Sequence, residues 1–196
     1  MKYTLLGSKR SPFVRTCRMF MINHNIDFNF QSVDFVNNKE DAQFVKEKTP
    51  INRVPVLFQN ETAIFESRVI LNTLTENHKI QKLTPKEENY LSVINSCTDA
   101  GVTLFLMRRD GFDMEKKSFF LERTKNRIPE GLKYLREWEK KLNPNNPSDW
   151  SIPAMSLYSF LYWAHQRELI DLNQYPDEIS FIENFKSSKG VSETSF

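Results

Sequence analysis

Apolar positions in the first third of the chain recur with a period that switches between two and three-to-four. Tyr3, Leu5 and Leu6 form a short run that Gly7 and the basic pair Lys9-Arg10 interrupt, the pattern of a strand leaving a sheet. Ser11-Pro12 then marks a helix start, and Phe13, Cys17 and Phe20 share one face of a helix from Pro12 to about Asn23. Ile26, Phe28 and Phe30 alternate with Asp27, Asn29 and Gln31, as in a half-buried strand. The polar stretch Asn37-Asn38-Lys39-Glu40-Asp41 leads into a short helix ending near Lys48. Two apolar runs, Val54 to Phe58 and Thr62 to Phe65, flank Gln59-Asn60-Glu61 and predict an antiparallel hairpin. Ser67 is the expected N-cap of a helix carrying Val69, Ile70, Leu71 and Leu74. Strands and helices alternating in this order predict an α/β layer on one mixed sheet.

Beyond a polar, Pro85-containing stretch the strand period does not return. Tyr90, Ile94, Cys97, Gly101 and Phe105 share a face of a helix from about Pro85 to Arg108, with Ala100 and Gly101 leaving room for a neighbour. A second long helix spans about Lys116 to Leu142 and carries Phe119, Phe120, Ile128, Leu132, Leu135 and Trp138; Pro129 is expected to kink or split it. Ser151 is placed to cap a helix from Ile152 to His165 that is apolar on nearly every face and so belongs at a bundle centre. Tyr175-Pro176 opens a short helix with Phe181, Ile182 and Phe185, and Ser187 to Phe196 has no period and reads as loose. These readings set a first domain at 1–76, a linker at 77–86 and an all-helical domain at 87–196.

Composition narrows the function classes. A chain of 196 residues with 39% hydrophobic content can bury a real core, and a net charge of +2 without a long basic run gives no reason to expect nucleic acid or a membrane surface as partner. Trp150 to Gln166, the longest uncharged stretch, is shorter than the roughly 20 residues that span a bilayer. Two distant cysteines, Cys17 and Cys97, and no cationic-apolar leader at Met1 point to a reducing cytoplasm. His24, His78 and His165 lack metal-ligand spacing and the five glycines are isolated, so neither a metal nor a nucleotide cofactor is implied.

The candidate chemistry centres on Ser11. A serine at an N-cap with proline at the first helical position holds a hydroxyl at the positive end of a helix, where first-turn N–H groups and the macrodipole favour an anion such as a thiolate. The plain alternative is a serine that only caps. Cys17 lies more than a turn further on and reads as core. Pro55 is unusual within a strand and is explained either by a cis Val54-Pro55 bond or by an edge position.

Three stretches together, Ser11-Pro12-Phe13-Val14-Arg15, Asn52-Arg53-Val54-Pro55-Val56-Leu57 and Glu66-Ser67-Arg68-Val69-Ile70, resemble the cytosolic glutathione transferase family, in its bacterial type with serine at the active-site position. The resemblance covers the whole chain and implies a thioredoxin-like α/β N-terminal domain followed by an all-α C-terminal helical bundle. It implies glutathione as co-substrate, with Val54 beside a cis Pro55 pairing its backbone with the cysteinyl unit. Glu66 and Ser67 would hold the γ-glutamyl end, Lys39 and Arg53 the glycyl carboxylate, and Phe13, beside the catalytic Ser11, would join the glutathione contacts. Ser11 would donate to the glutathione sulfur and favour its thiolate. Serine cannot form the mixed disulfide that cysteine-bearing relatives form, which favours conjugation, isomerisation or peroxide reduction. Phe105, Arg108 and Trp163, with Phe13, are the implied acceptor pocket for a small hydrophobic electrophile. A homodimer is implied as well, with Asp99 a candidate contact to the neighbouring subunit's γ-glutamyl group. Where the family's central helix usually carries aspartate three residues after its cap, Ala154 stands instead, a loss of about 1 kcal/mol of capping. Two further readings share the fold: a non-catalytic regulator like the stringent starvation proteins, and a maleylacetoacetate-type isomerase using the same glutathione site.

Overall fold

A computed structural model of the protein describes residues 2–34, 37–60 and 62–196. Met1 and Glu61, which entered the leader and hairpin-turn readings, lie outside the described residues. The chain divides into two compact units, Met1–Lys82 with Ser187–Phe196, and Leu83–Lys186.

The first unit is built on a four-stranded mixed sheet of order β2-β1-β3-β4, comprising β1 (Tyr3–Gly7), β2 (Phe28–Ser32), β3 (Val56–Gln59) and β4 (Thr62–Phe65). β1 runs parallel to β2 and antiparallel to β3, and β3 and β4 form the antiparallel hairpin. Three helices complete it: α1 (Pro12–Asn23), α2 (Lys39–Lys48) and α3 (Ser67–Asn77). Leu6 and Val56 form one buried cluster with Val33 and Val45 of α2, against which Phe44, Val54, Phe58 and Phe65 pack. Leu5 and Leu57, also buried, point the opposite way by strand alternation, to the face where α3 packs on β3, β4 and α1. The sheet is therefore covered on both faces.

β3 begins at Val56, two residues later than the apolar run suggests, and the Val54-Pro55 bond before it is in the cis form. Ser67 is the first residue of α3 and not its N-cap. That position falls to Glu66, whose side chain makes no capping bond. The stretch Ser187–Phe196 is ordered, ending in a short 3-10 turn at Ser192–Thr194 with Val191 and Thr194 buried. Its lack of period reflects anchoring by single side chains in place of a continuous apolar face.

The second unit contains α4 (Pro85–Arg109), α5 (Phe119–Glu139), α6 (Ile152–Gln166) and α7 (Pro176–Phe185). α4 opens on a capping box: the Thr84 hydroxyl accepts from the Glu87 N–H while the Glu87 carboxylate accepts from the Thr84 N–H at 2.8 Å. By length and composition alone α4 could cross a bilayer, a test that a bundle's core helix also meets, and here it packs against α5 and α6. A Cβ on Gly101 would lie 3.0 Å from the Trp163 ring of α6, and one on Gly131 of α5 only 2.2 Å from the Cys97 sulfur. Gly131 thus lets α5 come close to α4 at Cys97, a role its place in the sequence does not announce. α5 runs unbroken through Pro129, which is exposed, so the carbonyl left without its intrahelical donor can turn to water. Phe119 and Phe120 are 83% and 60% exposed at the first turn of α5. α6 is buried at every position except Tyr162, His165 and Gln166. Ser151 precedes it in extended conformation but, against its expected capping role, makes no side-chain capping bond.

α5 and α7 meet across acidic groups. Asp177 takes both nearby cations, Arg136 and Lys140, each at 3.3 Å. Glu139 and Glu178 are buried, and their carboxylate oxygens have no hydrogen-bond partner among the described residues. Burial, then the charges of Glu178 and Asp177, push the Glu139 carboxyl up to about 8 from an ordinary 4.5. A carboxyl whose folded-state pKa is raised binds its proton more tightly when folded. The stability it contributes is complete below about 4.5 and is lost as pH rises through 8. Glu139→Gln is expected to melt with the wild type near pH 4.5 and above it at pH 9; parallel melting curves across that range would show that Glu139 is already charged and satisfied.

Candidate functional site

The sheet register gathers three distant stretches. Leu6 pairs with Val56, and Val56 with Phe65, so the end of β1, the start of β3 and the end of β4 lie in one row. At two strand spacings of roughly 4.8 Å each, that row is about 10 Å wide. The residues just past it are the turn leading to Ser11, the Val54-Pro55 pair and the turn Glu66-Ser67, which all emerge at the same end of the sheet.

Ser11 caps α1 in extended conformation (φ −82°, ψ 126°) and its Oγ accepts from the Val14 N–H at 3.4 Å. A hydroxyl carries one proton and two lone pairs, so accepting here leaves the proton available to a ligand. The capping role and a donor role are compatible. The height of this turn is set by Gly7, where an added Cβ would meet Val14 methyl carbons at 2.5 and 2.8 Å. The glycine reads in the sequence as a strand breaker; its further duty is to let α1 touch the end of β1.

Val54 lies outside the β-ladder, which starts at Val56, and is half-buried, whereas Pro55 is buried. Glu66 is exposed and has φ +67°, ψ 126°, a conformation that non-glycine residues avoid. Strain of this kind costs on the order of 1–3 kcal/mol and collects at functional sites. Ser67, 8% exposed, presents its backbone N–H at the N-terminus of α3. Phe13 is half-buried in the first turn of α1, and Lys39 and Arg53 are exposed, Lys39 at the first residue of α2. Cys17 is fully buried, and burial drives its thiol well above the ordinary range.

In the second unit Phe105 and Trp163 meet edge to face at 6.0 Å, with the Arg167 guanidinium 4.9 Å over the Phe105 ring. Arg108 donates to the carbonyls of Arg167 and Glu168, at the C-terminal end of α6. That places its charge where the helix carbonyls want a cation. Trp163 is 4% exposed and packs on Gly101. Asp99 is exposed on α4. No group of three or more His, Cys, Asp or Glu suited to a metal occurs among the described residues.

The fold is that of the glutathione transferases, a thioredoxin-like α/β domain followed by a helical region. Residues 5–85 match the family model of the glutathione S-transferase N-terminal domain. Over 99% of its length the chain superposes on 94% of a glutathione S-transferase from Methylobacterium radiotolerans in complex with glutathione sulfonate, at 17% identity and TM-score 0.83. It is similarly like a glutathione S-transferase from Methylobacillus flagellatus with glutathione bound (21% identity, 98% of both chains, TM-score 0.81). A third likeness is to a glutathione transferase family member from Pseudomonas fluorescens with bound S-(propanoic acid)-glutathione (18% identity, 98% of both chains, TM-score 0.78). None of the curated proteins matches the chain.

The strain at Glu66 can be separated from its chemistry. Glu66→Gly relieves the positive φ, offset in part by the entropy of a freer unfolded chain, and is expected to raise Tm by roughly 2–4 °C, the equivalent of about 1 kcal/mol for a chain of this size. A melting temperature that does not rise would show that the turn carries no strain worth relieving.

Proposed function

We propose that the protein is a glutathione transferase that activates the glutathione thiolate for attack on a small hydrophobic electrophile. The observation that carries this reading is the single row of strand ends that brings Ser11, Val54-Pro55 and Glu66-Ser67 to one end of the sheet. Val54, outside the ladder, pairs its backbone with the cysteinyl unit as a short added strand. Ser67's amide at the start of α3 receives the γ-glutamyl carboxylate, Glu66 the α-ammonium, and Lys39 and Arg53 the glycyl carboxylate. Phe105, Arg108 and Trp163 are assigned to the acceptor pocket, and Phe13 to the glutathione contacts beside Ser11. Arg108 already serves the carbonyls ending α6, so hydrophobic and aromatic electrophiles fit this set better than acidic ones.

Ser11 has no histidine or aspartate placed beside it in sequence to make it a nucleophile. Its hydroxyl donates to the glutathione sulfur while keeping the Val14 N–H, and together with the helix N-terminus it lowers the thiol pKa. Titration calorimetry with millimolar glutathione is the primary test. Absence of binding would refute the transferase and favour a non-catalytic regulator on the same fold; an isomerase of the maleylacetoacetate type would bind equally and differ in acceptor. Ser11→Ala should still bind glutathione, yet lose about 10² to 10³ in rate near neutral pH, with the deficit shrinking as pH rises and thiolate forms unaided. Ser11→Cys should lose conjugation and gain a glutathione mixed disulfide visible by mass spectrometry. A pH–rate profile unchanged in Ser11→Ala would reduce Ser11 to a helix cap.

The proposed assembly is a twofold homodimer in the cytoplasm, with Asp99 reaching the neighbour's site. Light scattering at tens of micromolar is expected to give the mass of two chains, and a monomer at that concentration removes both the dimer and the role of Asp99.

A further inference from the structure

We infer that the segment Ser187–Phe196 is a positioning element of the thiolate site, holding α1 in addition to its contact with the sheet; this rests on the proposed glutathione chemistry at Ser11. The segment belongs to the first unit although the whole helical unit precedes it in the chain. Arg15, whose N–H bonds the Ser11 carbonyl at 2.9 Å in the first turn of α1, is 1% exposed. Its Nε donates to the Thr194 hydroxyl at 3.2 Å and its Nη2 to the Val191 carbonyl at 3.4 Å. Thr194 is fully buried and passes its own proton to the Gly190 carbonyl at 2.6 Å.

The contact continues along the helix. Arg18 donates to the Glu193 carbonyl at 2.9 Å, and Lys189 reaches the Asn23 carbonyl at 3.4 Å. Gly190, at φ +92°, comes so near that a Cβ there would lie 3.0 Å from the Met19 Cα and 3.2 Å from its carbonyl oxygen. A buried guanidinium is costly unless its donors find partners, and this segment supplies partners for two of the three guanidinium nitrogens, so Arg15 ties the first turn of α1 to it. Gly7 fixes that turn against β1 and Thr194 fixes it through Arg15, while Gly190 lies close against Met19 further along the helix. Neither needs to touch glutathione; both act through Arg15 and α1 on the direction of the Ser11 hydroxyl.

Thr194→Val keeps the volume and removes the hydroxyl that receives Arg15, and Gly190→Ala forces the segment off Met19. Both are expected to lower kcat about tenfold near neutral pH with a smaller change in KM for glutathione, since small displacements of a positioned group are costly in rate. The bound thiol's apparent pKa should rise, and the Val14 and Arg15 amides should exchange hydrogen faster while β1 and β3 amides do not. Placed on Ser11→Ala, either change should add little, because the group being positioned is already gone. Lower stability with unchanged α1 exchange and unchanged thiol pKa would overturn the inference. Should the wild type bind no glutathione, the transferase reading fails by itself, and the hold on α1 is still decided by the exchange rates of Val14 and Arg15. If Gly190→Ala does not fold, Thr194→Val alone carries the test.

Discussion

The contact between Gly7 and Val14 sets where the proposed chemistry can happen. An ideal Cβ at Gly7 would overlap the Val14 methyl groups at 2.5 and 2.8 Å, so only glycine at the end of β1 lets α1 come this close. Val14 is also the residue whose N–H bonds the Ser11 hydroxyl oxygen. One residue therefore joins the sheet edge to the helix cap, and the position of Ser11 follows from a packing constraint more than from the cap itself. Such a contact tolerates no extra methylene without displacement of the helix.

Everything else at the site is arranged by strand register. Hairpin pairing of β3 with β4 places Phe65 beside Val56, and antiparallel pairing of β1 with β3 places Leu6 beside Val56. Because side chains alternate along strands, a slip of one residue in either pairing would turn Leu6 or Val56 away from Val33 and Val45. The buried cluster under α2 therefore enforces the register that aligns the three turns. Core packing and site assembly are the same requirement seen from two ends of the strands. The unfavourable backbone at Glu66 is sustained by this rigid frame, held between β4 and the first turn of α3.

The local part of this architecture was readable from the residues. Alternation at Phe28 and Phe30, the Ser11-Pro12 start, and the unbroken apolar face pattern of Ile152 to His165 each placed an element within a residue or two, because each signal is contained in a few neighbours. What escaped was non-local. Gly131 matters because of Cys97, thirty-four residues away, and Gly190 because of the Met19 backbone, contacts that no periodicity encodes. Ser187–Phe196 read as loose for the same reason: its order comes from Arg15 and Arg18. Thr84-Pro85-Lys86-Glu87 carries a local signal, the capping box, at the end of the stretch that reads as a linker. At the site, the motifs named the residues, while their convergence depends on a register visible only in the folded sheet.

The division of labour between Ser11 and Cys17 bears on what kind of sulfur chemistry the proposed site can run. Cys17 lies on the same helix, yet it is fully buried and its thiol is driven far up by burial, so it supplies neither thiolate nor access. Cys97 is likewise buried, its thiol pushed up to about 12, and its sulfur faces carbonyls of α5. On the proposed reading the reacting sulfur must then arrive with the ligand, and the protein's part is to hold a hydroxyl proton and a helix N-terminus where that sulfur sits. This arrangement favours a charge that is brought in and stabilised over a covalent bond to the chain. It also explains why so much of the first unit, Gly7 below α1 and Arg15 with Thr194 beyond it, is spent on the position of one helix turn: a donor that forms no covalent intermediate acts only through its geometry.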